Sequence, residues 1–296
     1  MYPWLTDSFK QLSFRVGSKK LHHAMLIQGP TGIGKAYFTQ KLAQLLLCAN
    51  RQQDKVCGAC QPCSLYKSGT HPDLHLVESE KQIGVDQIRE AIKKLTGSAQ
   101  MSGAKVLIIQ QADTMTESSA NALLKTLEEP TQHTYLLLTT DKPQKILPTI
   151  KSRCEKLVLP SPSLDMTINW VTRYYDGYVD RNFAKLYANR PLALLAELEQ
   201  EPALSFADFS QGLEQLISGQ KTVLNLATVW QEHIEKVLKW LQFWVREQFN
   251  RVDLNADLLL IINEKAVNVS KVMQNPGVNK LLVLAELLTQ VQNVKK

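Results

Sequence analysis

Residues 29–35 read Gly29-Pro30-Thr31-Gly32-Ile33-Gly34-Lys35, directly after a short apolar run, Met25–Gln28, and directly before an apolar helical pattern. A G-x-x-x-x-G-K spacing in a strand–loop–helix setting is a phosphate loop, and it commits the surrounding chain to an α/β architecture. The glycines let backbone N–H groups turn inward around an anion. The following helix adds partial positive charge at its N-terminus, and Lys35 adds a full one. Gly29, Thr31, Gly32, Gly34 and Lys35 are therefore the candidate contacts to a nucleotide's phosphates. The next position should carry the Ser or Thr hydroxyl that ligates magnesium. It is Ala36, and a methyl group binds no metal.

The remainder of residues 1–160 fits the same architecture. Short runs rich in Val, Ile and Leu recur at Leu74–Val77, Val106–Gln110, Tyr135–Thr139 and Lys156–Leu159, as expected of strands covered on both faces. Between them Val85, Ile88, Ile92 and Leu95 share one helical face, and Ala120, Leu123, Leu124 and Leu127 share another that Pro130 ends. With Met25–Gln28 this predicts a five-stranded parallel sheet with helices on both faces. Pro160-Ser161-Pro162-Ser163 reads as a linker. No strand pattern follows it. Residues 161–205 read as a small all-α domain and residues 206–296 as a larger one. Stripes such as Trp230, Ile234, Val237, Leu238, Leu241 and Val245 there read as core packing.

An ATPase of this kind also needs a carboxylate at the end of a neighbouring strand to hold the magnesium. After Val106–Ile109 the sequence has Gln110-Gln111, whose amides carry no charge and are not bases near neutral pH. Asp113, a little further on, reads as a turn or cap residue. Ala36, Gln110 and Gln111 together predict no intrinsic hydrolysis and weak or absent ATP binding. A separate cluster, Cys48, Cys57, Cys60 and Cys63, has the spacing C-x8-C-x2-C-x2-C. Four thiolates at such spacing suit a closed, structural Zn²⁺ site, with Lys55 and Lys67 near enough in sequence to offset its negative charge. An iron–sulfur cluster, two disulfides and unrelated buried thiols are the other readings. Cys154 stands apart as a core residue. His71-Pro72-Asp73 reads as a turn into the strand at Leu74.

Three strings carry a family resemblance: Ala120-Asn121-Ala122-Leu123-Leu124-Lys125-Thr126-Leu127-Glu128-Glu129-Pro130, Thr149-Ile150-Lys151-Ser152-Arg153-Cys154, and the cysteine cluster between the phosphate-loop helix and the second strand. Over about residues 20–160 the chain resembles the bacterial clamp-loader subunits of the AAA+ class. Motor members of the gamma/tau type keep the metal hydroxyl and an Asp-Glu pair; this chain lacks both and resembles the delta-prime branch. The resemblance implies an AAA+ domain over residues 1–160 with a zinc module at about 48–63, a helical lid over 161–205 and a helical collar over 206–296. It implies a non-hydrolysing stator in a hetero-pentameric ring with gamma/tau motors and a delta subunit, acting on a sliding clamp and primed DNA during replication. Arg153 would be an arginine finger acting in trans on the neighbour's ATP. The lid arginine of active members falls at Leu192, with Arg190 nearby, and Thr139 or Thr140 matches a polar sensor at a strand end.

Composition narrows the alternatives. A chain of 296 residues allows two or three domains. It has no run of roughly 18 or more apolar residues, and so no expected membrane span. The N-terminus, MYPWLTDSFK, lacks a secretory pattern, so a cytoplasmic bacterial protein is expected. The net charge of +6 is spread along the chain and permits nucleic-acid contact without requiring it. An autonomous ATPase motor is the enzymatic alternative, and Ala36, Gln110 and Gln111 argue against it. A zinc-dependent DNA-binding protein would need a basic face near the cysteines, where only Arg51, Lys55 and Lys67 lie.

Overall fold

The computed structural model describes residues 1–52, 55–101, 103–187, 190–200, 204–249, 254–273 and 277–294. In chain order the elements are α1 Thr6–Gly17, β1 Ala24–Gln28, α2 Lys35–Leu47, α3 Gln61–Lys67, β2 Leu74–Val77, α4 Val85–Leu95 and β3 Lys105–Ile109. There follow α5 Glu117–Glu128, β4 Thr134–Thr140, α6 Pro148–Lys151, β5 Glu155–Val158, α7 Leu164–Val171, α8 Arg181–Leu186 and α9 Pro191–Leu198. The last helices are α10 Phe206–Ile217, α11 Val223–Trp230, α12 Ile234–Gln248, α13 Ala256–Val272 and α14 Lys280–Gln292. Residues 1–178 with 187–197 form one compact unit, and residues 179–186 with 198–296 form a second.

All five expected strands form, in one parallel sheet of order β2-β3-β4-β1-β5. Alternation along each strand divides its side chains between two faces. Leu26, Leu107, Ile109, Leu136 and Leu138 share a core with Ile88 and Leu95 of α4 and Leu123 and Leu127 of α5. The alternate residues Met25, Ile27, Val106, Ile108 and Leu137 are also buried, and α2 packs on β3 and β4 with α1 beside it. Helices thus cover both faces, as a parallel sheet requires. Thr116 starts α5 by accepting the Ser119 N–H at 3.0 Å, and Pro130 lies just beyond its end. His71-Pro72-Asp73 makes the turn into β2: the Leu74 N–H reaches the His71 carbonyl at 3.2 Å. The buried Asp73 carboxylate accepts the N–H groups of Gln100 and Met101 at 2.8 and 2.9 Å.

The second unit is all helical among its described residues. Its core gathers Phe209 and Leu213 of α10, Trp230 of α11 and Trp240 and Leu241 of α12, all buried, with Phe209 5.2 Å from Trp230 and 5.5 Å from Trp240 between ring centroids. Helices α13 and α14 pack on each other, α13 on α12 and α14 on α11. Gly212 is what lets Trp230 approach α10. A Cβ there would stand 2.6 Å from Trp230 Cζ2 and 3.3 Å from Leu226 Cδ2.

Gly212→Ala gains helix propensity of about 1 kcal/mol but overpacks a buried indole, and a net loss of about 1–2 kcal/mol is expected. Gln211→Ala, on the exposed side of the same helix, is expected to be neutral or stabilising. Urea unfolding followed by tryptophan fluorescence compares the two. Equal midpoints for Gly212→Ala and the parent protein would show that the contact has room to relax.

Candidate functional site

The phosphate loop leaves the carboxyl end of β1 and turns into α2 through two left-handed glycines, Gly32 at φ +81° and Gly34 at φ +95°. Those φ values explain the glycines at these positions. The loop is held from several sides. The Gly29 N–H donates to the Thr140 carbonyl of β4 at 3.2 Å. The Leu192 N–H of α9 donates to the Gly32 carbonyl at 3.1 Å, so close that a Cβ on Gly32 would meet Ala193 Cβ at 3.0 Å. Trp4 Nε1 donates to the Ile33 carbonyl at 2.9 Å, and the Tyr2 ring lies where a Gly34 Cβ would be. Tyr2 stacks on Trp4 at 5.2 Å and stands 5.6 Å from Trp170 of α7.

Lys35 is turned into its own loop. Its ammonium donates to the carbonyls of Gly29 and Pro30 at 2.8 and 2.9 Å. Burial draws its pKa below the ordinary lysine value, and the Asp141 and Asp113 carboxylates act against that pull. Asp141 accepts from the Thr31 hydroxyl. Burial pushes its carboxyl up, but Thr31 and Lys35 outweigh burial and hold it below the usual carboxylate value. Asp113 accepts from the Thr140 hydroxyl at 2.7 Å, and the Thr139 hydroxyl accepts the Gln111 N–H at 3.1 Å. Both threonines at the sensor position are thus bonded within the protein. Ala36 lies in the first turn of α2, and Gln110 and Gln111 follow β3. The positions that would hold magnesium offer a methyl group and two amides, which do not fit the ion. Arg190, beside Leu192, lies over the Tyr187 ring at 5.7 Å.

Arg153 stands on the short turn between α6 and β5. Ile150 and Cys154 anchor that turn in the core, and burial pushes the Cys154 thiol up to about 12. The arginine projects to the surface. Its Nε donates to Glu128 at 2.7 Å, and one terminal nitrogen donates to the Thr149 carbonyl at 3.0 Å and contacts Ser152 Oγ at 3.3 Å.

Cys48 follows α2, Cys60 caps α3 and Cys63 lies in the first turn of α3, while Gly58 at φ +72° turns the chain between Cys57 and Cys60. All five cysteines are free thiols. The four sulfurs lie within 4.8 Å of one another, with Cys48 and Cys57 3.6 Å apart and Cys57 and Cys63 4.0 Å apart. A tetrahedron with metal–sulfur bonds of about 2.3 Å has sulfur–sulfur edges of about 3.8 Å. The cluster therefore matches one tetrahedral ion, and an iron–sulfur cluster would need its thiolates further apart. The N–H of Cys57 points to Cys48 Sγ at 3.4 Å and that of Cys60 to Cys57 Sγ at 3.3 Å, as thiolate ligands require. Cys60 is held down to about 6: burial opposes this, but the Cys63 N–H and the Cys57 thiol prevail. Lys67 donates to the Gly58 carbonyl at 2.8 Å, and Tyr66 ties α3 to the Gln40 carbonyl of α2 at 2.7 Å. The phosphate loop, Gln110, Gln111 and Asp113 share the carboxyl rim of the sheet; the cysteines form a separate module. Asp141, Tyr2, Trp4 and Glu128 were not singled out by sequence reasoning. Asp141, directly after the Thr139-Thr140 pair, was the one within reach of it.

Fold and rim together define a five-stranded parallel α/β module with a glycine-rich loop leading from β1 into α2, followed by helices. The family model described as "DNA polymerase III, delta subunit" matches residues 4–163. DNA polymerase III subunit delta' of Escherichia coli K12 is 31% identical, covering 99% of this chain and 95% of that protein. The Pseudomonas aeruginosa protein of the same name is 35% identical over 78% of this chain and 71% of its own. A DNA polymerase III gamma-subunit-related protein from Thermotoga maritima, 18% identical, shares the fold at a TM-score of 0.57, covering 97% of this chain and 99% of its own. The chain belongs to the DNA polymerase III subunit delta' family, a family of DNA-replication proteins. Among the described residues no helix is long and apolar enough to cross a membrane.

Purified protein is expected to carry about one zinc per chain, by the tetrahedral four-thiolate geometry, and to release it as pH falls because protons compete for the thiolates. Cys60→Ser should lower zinc content and speed amide exchange in the segment from Cys48 to Lys67 while leaving the sheet protected. Elemental analysis that finds iron or no metal would refute the zinc assignment.

Proposed function

We propose that the chain is a non-hydrolysing subunit of the DNA polymerase III clamp loader, a stator that completes the active site of a neighbouring motor subunit. The observation that carries this reading is the contrast between two cations. Lys35 is turned inward onto its own loop carbonyls, and Ala36, Gln110 and Gln111 stand where a hydroxyl and two carboxylates would be needed. Arg153 is presented at the surface on a turn rooted in the core. Membership of the subunit delta' family supports it. In this reading residues 1–160 are the AAA+ domain, 161–205 a lid and 206–296 a collar that joins the ring. The gamma/tau motors and delta are the direct partners, with the clamp and primed DNA reached through the complex in the bacterial cytoplasm. The cysteine module holds Zn²⁺, which supplies structural cross-linking and no chemistry, its sphere being closed by four thiolates.

What this chain contributes to catalysis is one side chain. A planar guanidinium placed at a neighbour's γ-phosphate stabilises the charge that develops as the phosphoryl group transfers, through two parallel N–H donors. The autonomous-motor alternative requires magnesium-dependent turnover by the isolated chain. None above background is expected; turnover abolished by Lys35→Ala would establish the motor reading instead.

Arg153→Ala should leave the isolated protein folded and assembly intact. In a complex reconstituted with wild-type motors it should lower clamp- and DNA-stimulated ATPase. A finger contributes roughly 10³–10⁵ in rate at the site it serves, but the fall in total ATPase will be partial, because other sites take their fingers from other subunits. Arg153→Lys should rescue poorly, having charge without the planar fork. Unchanged ATPase and clamp loading in a fully assembled complex would make Arg153 an ordinary surface residue.

A further inference from the structure

The Arg153 guanidinium is not free to meet a phosphate. Its Nε donates to Glu128 Oε1 at 2.7 Å, and a terminal nitrogen forms an ion pair with that same oxygen. The other terminal nitrogen is taken by the Thr149 carbonyl and Ser152 Oγ. All three nitrogens are engaged, and the edge formed by Nε and one terminal nitrogen, an edge able to grip two oxygens, is held on Glu128 Oε1. Glu128 lies at the end of α5, a different element from the α6 turn that carries Arg153. Its carboxylate is half exposed. It also sets a negative charge directly against the guanidinium.

We infer that Glu128 is a positioning residue that parks Arg153, so that the finger engages a neighbour's nucleotide only after exchanging the Glu128 carboxylate for a phosphate. This rests on the finger reading of Arg153 and adds its regulation. The exchange is local. Ile150 and Cys154 keep the turn fixed in the core, so only the arginine side chain has to swing. The pair is partly exposed, which keeps the latch weak enough for a triphosphate to displace: such pairs are worth about 0.2–1 kcal/mol. A motor site with no properly seated nucleotide leaves the finger on Glu128 and so stays slow.

Glu128→Gln tests this in the reconstituted complex. The amide keeps the side chain's size and one acceptor oxygen but removes the charge. ATPase without clamp or DNA should rise, by up to about five-fold on the strength of an exposed pair. The stimulated rate should change little, so the stimulation ratio falls. The apparent KM for ATP at the affected site should fall with it, which a purely structural role would not produce. The gain should vanish in the Glu128→Gln/Arg153→Ala double variant. An unstimulated rate that falls would mean that Glu128 aims the finger rather than parking it, and would overturn the proposal. An unchanged rate, or a rise that survives the loss of Arg153, would overturn it as well. Arg153→Ala alone separates the two levels. If it lowers stimulated ATPase while Glu128→Gln does nothing, the finger stands and the latch fails. If Arg153→Ala itself does nothing, the finger reading fails and the latch with it. Both positions are at the surface, and equal unfolding midpoints for the variants serve as the control for folding.

Discussion

A parallel sheet ends all its strands in one direction, so the loops leaving their carboxyl ends share one rim. Here that constraint gathers Gly29 after β1, Gln110 and Asp113 after β3 and Asp141 after β4, residues scattered over more than a third of the chain. The arrangement holds only while both faces of the sheet are covered, because every strand backbone at the centre is buried. Leu26, Leu107 and Leu136 on one side and Met25, Val106 and Leu137 on the other are therefore as necessary to the rim as the residues within it. Three short links then lock the rim: Gly29 to Thr140, Gln111 to Thr139 and Thr140 to Asp113.

Within the rim the governing fact is that a partly buried ammonium needs acceptors. The Gly29 and Pro30 carbonyls supply them, with Asp141 and Asp113 close enough to sustain the charge. Leu192 and Ala193 press on Gly32 from α9, and Tyr2 and Trp4 close over Gly34 and Ile33. The loop is thus internally satisfied. Ala36 and Gln111 are exposed and Gln110 is half-buried, so none of the three places a buried polar group without a partner.

Much of this was legible in the amino-acid sequence, for a physical reason: strands buried on both faces are short apolar runs, and loops around anions need glycine. The five strands, the phosphate loop, the cysteine cluster and the buried Cys154 follow from local pattern. What did not follow were partners chosen across space. Nothing in the spacing of Glu128 and Arg153 says that they meet, since α5 and the α6 turn are brought together only by the packing of Leu127 and Ile150 in one core. Tyr2 and Trp4 read as an unremarkable N-terminus, because their role depends on a glycine Cβ that is missing at Gly34. The inward turn of Lys35 was hidden for the same reason: the motif names the residue, and only the folded loop shows which acceptors its amine takes.

Lys35 and Arg153 differ in what their surroundings demand of a charged side chain. A phosphate-loop lysine sits inside the rim and must be satisfied by something in every state of the protein. The Gly29 and Pro30 carbonyls fill that need here. An arginine at the surface carries no such obligation. Water can solvate it when it leaves a partner, so its ion pair with Glu128 is reversible at small cost. Ile150 and Cys154 lie beneath it in the core, so the turn is rooted while the guanidinium stays partly exposed. The two cations answer to different demands, Lys35 to burial and Arg153 to solvent.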